Sequence, residues 1–266
     1  MPRQYTYGPF QSRRLGLSLG VNVLIKYKLC TFNCVYCEIG LTNKENLVSP
    51  EYRIRVPPSP NFRKELKSIL RYVPHLNSIT FGYNGEPTLN ENLLDFLKIA
   101  QNVRSELTWT HEKPKLTLFT NSSTIFFNEI RERVKEFELV LAKIDAGSDD
   151  EFKRTNRPHQ DTPDLDVIID ALTKLKQEMP KKHELAIQCL IYDSYNQNFI
   201  PNNNSNNITK IAHALKRIKP NFVQIYSTAR IPAEYFVFAI DDERKREIAK
   251  IFKEIINDDN VEINIY

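Results

Sequence analysis

The sequence has no long hydrophobic run. Its longest strongly apolar stretch, EYFVFAI over 234–240, falls far short of the roughly 20 residues that a membrane-spanning helix needs. The first residues, MPRQYTYGPF, contain no apolar core of the kind a secretory signal requires. Both absences lead to the expectation of a cytoplasmic chain with no membrane partner, in a compartment where thiols stay reduced. Cysteine is scarce, with four in 266 residues. In such a compartment clustered cysteines hold metal more often than they pair with one another. Net charge is only +4, so composition alone names no polyanionic partner.

The charge is nevertheless uneven. Residues 1–60 carry eight Lys and Arg against three Asp and Glu, and the excess includes Arg13, Arg14, Lys26, Lys28, Arg53 and Arg55. Such a patch suits phosphates or an anionic cofactor, and equally a plain solvated face.

Short β-branched runs alternate with longer amphipathic stretches. Strands are expected over 20–27, 78–84, 115–121, 138–145, 184–193, 222–228 and 261–266, from their apolar character. Helices are expected over 62–73, 91–103, 126–137, 164–179, 207–218 and 241–256. Several of them start on Asp or Asn and end on Lys or Arg, as the helix dipole favours. Six strand–helix repeats point to an α/β fold, a partial (β/α)6 barrel of parallel strands with outer helices, or to an open doubly wound sheet. No composition shift divides the chain, so one domain over 1–266 is expected. Two segments break the rhythm. Residues 42–60 are polar and end in VPPSP, and residues 194–207, SYNQNFIPNNNSNN, read as a flexible loop at the rim of the sheet or a biased surface insertion.

Three of the four cysteines, Cys30, Cys34 and Cys37, lie within eight residues of LCTFNCVYCEIG (29–40). A structural zinc site takes four ligands. The fourth cysteine, Cys189, lies in a strand candidate, and none of His75, His111, His159, His183 and His213 is near the loop. Zinc therefore needs one of them delivered by the fold. An iron–sulfur cube held by three thiolates instead leaves one iron open to a small molecule.

The spacing CxxxCxxC, with the aromatic Tyr36 before the last cysteine, resembles the signature of the radical S-adenosylmethionine (radical SAM) superfamily. FGYNGEPTLN (81–90) resembles that superfamily's second-strand segment, with GEP where GGE is usual, and LFTNSS (118–123) resembles its TNG. GPFQSRRLGLSLGVN (8–22), VLAKIDAG (140–147) and FKRTNRPH (152–159) are similar to a narrower group, short proteins related to the wyosine-forming enzymes of tRNA. The resemblance implies a [4Fe–4S] cluster on Cys30, Cys34 and Cys37. It also implies S-adenosylmethionine on the open iron, and cleavage of that sulfonium to a 5′-deoxyadenosyl radical.

The resemblance further implies that Tyr36, Gly85, Glu86, Pro87, Asn121, Lys143 and Asp145 bind or frame the cofactor. Each has a plainer reading. Gly85–Pro87 is a turn in which glycine permits close approach and proline adds stiffness. Asn121 caps the helix expected from 126. Lys143 and Asp145 point to one face of a strand and form an ion pair, bind the cofactor's carboxylate, or present a Schiff-base amine. Arg154, Asn156, Arg157 and His159 fall in a short loop suited to anions or to solvent. Gln188 and Gln224 are expected to face the interior, leaving Cys189 as a small core residue.

The wyosine-forming enzymes carry further cysteines before the motif, whereas no cysteine here precedes Cys30, so one cluster is expected. The function expected is hydrogen abstraction from a tRNA base, or from a small metabolite or peptide, with electrons from a donor such as a ferredoxin or flavodoxin. A non-catalytic metal-binding protein is the alternative from another class.

Overall fold

The computed structural model describes residues 3–24 and 27–266. The chain opens with the strands β1 (Thr6–Ser12) and β2 (Gly16–Val21), followed by α1 (Pro60–Leu70), β3 (Ser78–Phe81), α2 (Leu93–Ser105) and β4 (Lys115–Thr120). Next come α3 (Asn128–Val134), β5 (Leu139–Lys143), α4 (Asp149–Asn156), α5 (Leu165–Glu178), β6 (Glu184–Leu190) and β7 (Tyr192–Ser194). The remainder is α6 (Ser205–Ile218), β8 (Phe222–Tyr226), β9 (Val237–Ala239), α7 (Asp242–Ile256) and β10 (Glu262–Ile265).

Eight strands form one curled sheet in the order β1-β2-β3-β4-β5-β6-β8-β10. Every pairing from β2 to β10 is parallel, and only β1 runs antiparallel to its neighbour. Six strand–helix units and a closing strand make the partial (β/α)6 barrel expected from the sequence.

Alternation along each strand sorts the side chains onto two faces. On the outer face Ile79, Leu116, Leu118, Val140, Ile187, Val223 and Ile225 pack with helix residues such as Phe96, Leu172, Leu215 and Phe252 in the main core. Full burial of each such side chain contributes about 1.5–3 kcal/mol, so this layer dominates the favourable energy. The inner face carries a smaller cluster, Leu139, Leu141 and Ala186 with Leu15, Phe119 and Phe222. Beside it runs a hydroxyl ladder in which Ser18 meets Thr80, and Ser78 meets Thr80 and Thr117, at 2.8–2.9 Å. Gln188 donates to Gln224 at 2.9 Å, while Cys189 lies fully buried in the outer core. With both faces covered, the strands read as near-continuous apolar runs.

Helices α1, α6 and α7 begin on side-chain caps. Ser59 accepts from Asn61 N–H with Pro60 in the first turn, so VPPSP starts α1. Asn204 and Asp241 cap α6 and α7.

Several expectations need correction. The strand expected over 20–27 lies earlier, at β2, and residues 25 and 26 fall outside the described residues. Residues 6–21 form a hairpin in which Tyr7 lies on Gly20, where a β-carbon would overlap the ring. The segment with Arg154 and Asn156 is no loop but α4, whose first turn holds Asp149, Asp150 and Glu151 and whose last holds Lys153 and Arg154. Of the Asn-rich segment, 205–207 already belongs to α6, and Asn202 and Asn207 are buried. Asn202 donates to the Leu190 and Asp145 carbonyls and accepts from Tyr192 N–H. Asn207 accepts from Gly147 N–H at 2.7 Å. These amides fasten the ends of β5 and β6 together.

Several basic residues of the first 60 have partners of their own. Arg53 lies 4.9 Å from the Phe127 ring centroid and pairs with Glu129, Arg55 pairs with Glu91, and Lys28 turns toward the cysteine loop. Lys26 lies outside the described residues.

Candidate active site

Four connections at the carboxyl ends of the parallel strands enclose the cysteine loop. The segment after β3 pairs with its start. Leu29 and Gly85 form a parallel bridge, Leu29 N–H donates to Asn84 O and Glu86 N–H to Leu29 O. Gly85 has φ +116°, and a β-carbon there would overlap the Leu29 carbonyl. Only glycine fits this conformation and this spacing.

The segment after β4 contributes Asn121, whose amide donates to Thr31 Oγ1 at 2.8 Å and to Cys30 Sγ at 3.4 Å. Its own Oδ1 accepts from Ser123 N–H, so it caps a turn rather than α3, which starts later at Asn128. Ser123 Oγ meets Thr31 Oγ1 at 2.6 Å. The end of α4 holds the middle of the loop: Val35 N–H donates to Thr155 O, and Asn33 N–H to the Asn156 and Arg157 carbonyls. Arg157 sits in the left-handed region, with φ 45°. From the far side Val35 and Tyr36 pack with Tyr192, Tyr226, Phe236 and Val237, which rest on the small β7–β9 ribbon.

Each of the three sulfurs faces an N–H donor. Asn121 approaches Cys30, Asn156 approaches Cys34 at 3.5 Å, and Lys28 approaches Cys37 at 3.3 Å. Burial, together with the neighbouring thiols, pushes Cys30 up to about 12 and Cys34 up to about 11. Cys30 and Cys34 in this setting resist ionising; a cationic metal centre would relieve that cost.

Beyond the sulfurs lies a second knot. Tyr36 donates its hydroxyl proton to Asp145 and accepts from Asn156 at 3.0 Å. Asp145, 2% exposed, also accepts from Leu190 N–H at 2.8 Å and lies 3.5 Å from Lys143 Nζ. Lys143 donates to the Tyr226 hydroxyl at 2.8 Å and sits 4.5 Å from the Tyr36 ring centroid. Burial pulls its pKa down, but Asp145 and Tyr226 outweigh that and raise it above the ordinary lysine value. Lys143 is therefore an ammonium ion, and the ion pair expected as its plain reading is present.

Glu86 is 1% exposed and its carboxyl group accepts four hydrogen bonds. Thr88 N–H, Thr88 Oγ1 and Thr120 Oγ1 donate to one oxygen, Asn121 N–H to the other. Glu86 thus caps the short turn Pro87–Leu89 and ties β3 to β4, with Pro87 in the first position where its fixed φ suits the turn. The outer arginines are spent on the protein itself: Arg154 on Glu151 and Ile200 O, Arg157 on Glu234.

Sequence reasoning passed over Thr31 and Ser123, the hydroxyl pair that fixes Asn121, and Tyr226, which touches Lys143. Only the position of Tyr226 at the end of a strand marked it. Lys28 counted as one charge in a patch; its lead was its place two residues before Cys30.

The family model that matches this chain, over residues 24–193, is described as the radical SAM superfamily. The chain belongs to the radical SAM superfamily. A UPF0026 protein of Methanocaldococcus jannaschii is 30% identical over 262 residues, covering 97% of this chain and 74% of that protein. A UPF0026 protein of Synechocystis is 28% identical, covering 84% and 75%.

Among solved structures, anSMEcpe with bound AdoMet has a TM-score of 0.59 at 18% identity, covering 92% of this chain and 64% of that one. TYW1 with a lysine-pyruvate adduct bound has a TM-score of 0.57 at 15% identity, covering 89% and 73%. SuiB of Streptococcus suis bound to S-adenosylmethionine has 0.59 at 12% identity, covering 90% and 48%, so this chain spans about half of SuiB. At these identities the likeness is one of fold, the curled half-barrel of a radical SAM domain.

The radical SAM cluster can be tested against the residues present. Among the described residues no group of three or more His, Cys, Asp or Glu side chains is arranged to hold a single metal ion. A cubane spreads its thiolates over separate irons, and three half-buried sulfurs, each facing an N–H donor, suit that arrangement. Cys189, in the outer core, is not a fourth ligand.

Proposed function

We propose that this chain is a one-cluster radical SAM enzyme, with a [4Fe–4S] centre on Cys30, Cys34 and Cys37 and S-adenosylmethionine beside it. The observation that carries the reading is the convergence of three sulfurs, each with its own N–H donor, on the strand ends that also present Gly85, Asn121 and Lys143. When bound, the cluster and S-adenosylmethionine supply reductive cleavage of the sulfonium to a carbon radical that removes hydrogen from a substrate.

The chain's own residues divide the remaining work. Backbone carbonyls around Gly85–Pro87 accept from the cofactor's ammonium, because the Glu86 carboxylate is already occupied. Lys143, held charged by Asp145, meets the cofactor's carboxylate. Tyr36 and Asp145 fix the height of the cysteine loop over β5. Asn121 braces Cys30 and offers its amide edge to the cofactor. Electrons arrive from a donor of the ferredoxin or flavodoxin class.

The substrate is a small metabolite or a peptide group that enters the lumen of the half-barrel. Arg53 and Arg55 pair with Glu129 and Glu91, and Lys28 turns to the cysteine loop, which weakens one of the two supports for a tRNA base; the likeness to TYW1 is the other. SuiB and anSMEcpe have been solved with peptides, so a peptide fits this fold. Release of 5′-deoxyadenosine from S-adenosylmethionine and dithionite, by the wild-type chain and not by Cys34→Ala, tests the reading; no release by wild type would defeat it.

A further inference from the structure

The hairpin joining β1 and β2 sends Arg14 into the lumen. Its guanidinium lies 4.2 Å from the Tyr226 ring centroid and 5.7 Å from that of Phe119. Tyr226 therefore touches two cations, because its hydroxyl also accepts from Lys143. The two differ in one respect. Lys143 has Asp145 as its counter-ion, whereas Arg14 has no ion pair or side-chain hydrogen bond among the described residues, and its Nη1 is a buried donor with no partner.

A buried donor left without an acceptor costs about 1–3 kcal/mol, more for a charged group, and native structures rarely leave one unexplained. Around Arg14 opens a cavity of about 440 Å³ at the amino-terminal mouth of the barrel. Its lining includes Ser78, Thr117, Gln224, Asn264 and Lys115. The lining carboxylates are Glu112 and Glu184, the latter paired with Lys115. A guanidinium stacked on an aromatic ring keeps its N–H edge free, the arrangement that recognises a carboxylate or phosphate with parallel hydrogen bonds.

We propose that Arg14 anchors an oxyanion of the substrate, a carboxylate or a phosphate, inside the lumen against Tyr226. The assignment rests on the radical SAM reading and adds to it the chemical class of substrate. Arg14 itself lies one aromatic ring away from Lys143, so the anchored end of the substrate sits below the residues assigned to the cofactor, toward the amino-terminal mouth. The rest of the substrate contacts the hydroxyl and amide groups of the inner wall.

The test uses the full chain, anaerobically reconstituted and saturated with S-adenosylmethionine so that the cofactor's own carboxylate site is filled. Inorganic phosphate and malonate are titrated separately by calorimetry. We expect one of them to bind the wild-type chain at a single site, and Arg14→Gln to weaken that binding at least about tenfold. Arg14→Lys, which keeps the charge but loses the planar fork, should fall between the two. Binding of phosphate alone or malonate alone supports the assignment and identifies the group. Equal affinity of wild type and Arg14→Gln, or no binding of either anion to a chain that takes up iron and cleaves S-adenosylmethionine, overturns this assignment alone. A wild-type chain that takes up no iron overturns the reading beneath it and the assignment with it. Iron content of each variant, read before titration, verifies that it has folded.

Discussion

Gly85 lies so close to Leu29 that a β-carbon at position 85 would overlap the Leu29 carbonyl oxygen. This contact joins the turn after β3 to the residue before Cys30, and its geometry belongs to the backbone, where glycine alone is compatible. Gly85→Ala must therefore push the two segments apart or strain φ +116°, at a cost of order 1–3 kcal/mol. We expect a lower melting temperature and poor iron retention, measured by calorimetry and iron assay. Wild-type values for both would contradict the contact's role.

Replacing Cys30, Cys34 or Cys37 singly with Ala should abolish cluster loading, whereas Cys189→Ala should leave iron uptake unchanged. Cys189 packs in the outer core behind β6, so its truncation affects packing, by about 1 kcal/mol or more, and not ligation. Iron content and visible absorption decide the matter. Normal iron in any of the first three variants would remove that cysteine from the ligand set.

Much of this was readable in the sequence, for identifiable reasons. The parallel strands were visible because both of their faces are buried, so Leu139–Ala142 and Leu185–Ile187 stand out as apolar runs. The cysteine loop was visible because spacing within one segment needs no tertiary information. What escaped depends on partners distant in the chain. The strand β1 is interrupted by Gly8 and Pro9 and contains Gln11 and Ser12, so it has no apolar alternation. Helix α4 is eight residues with Phe152 as its one large apolar side chain; its marks were an acidic first turn and a basic last one. Asn202 and Asn207 looked like solvated loop residues, because composition cannot tell a buried amide with three partners from an exposed one. Arg14 looked like one charge among eight; only the fold turns it inward.

The N–H donors at the three sulfurs should set the cluster's reduction potential. A donor stabilises negative charge on sulfur and so favours the reduced state. Asn156→Leu and Lys28→Met should each lower the potential in a redox titration followed by electron paramagnetic resonance. No shift in either variant would show that these contacts do not act on the cluster.

Lys143 should resist Schiff-base formation. Its pKa is raised above the ordinary value of about 10.4, so the amine is protonated at neutral pH and is not a nucleophile. The sign of the linkage is that of a cation stabilised by folding. Its contribution is complete below the ordinary lysine pKa and is lost only as pH climbs through the raised one, so it is flat between about pH 6 and 9. Incubation with pyruvate and borohydride across that range should leave the mass of the chain unchanged. An adduct on Lys143 would show instead that its amine is a nucleophile. Lys143→Met, in turn, should weaken S-adenosylmethionine binding by about tenfold with iron content unaltered; undiminished affinity would leave Lys143 a purely structural ion pair.

The central claim is that three sulfurs hold a cubane with one iron free for S-adenosylmethionine, and one spectroscopic experiment tests it directly. The anaerobically reconstituted chain is reduced and its electron paramagnetic resonance spectrum recorded before and after S-adenosylmethionine is added. The account predicts about four irons per chain and a reduced-cluster signal that changes when the cofactor binds. A signal indifferent to S-adenosylmethionine, or a chain that retains one zinc and no iron, would contradict it.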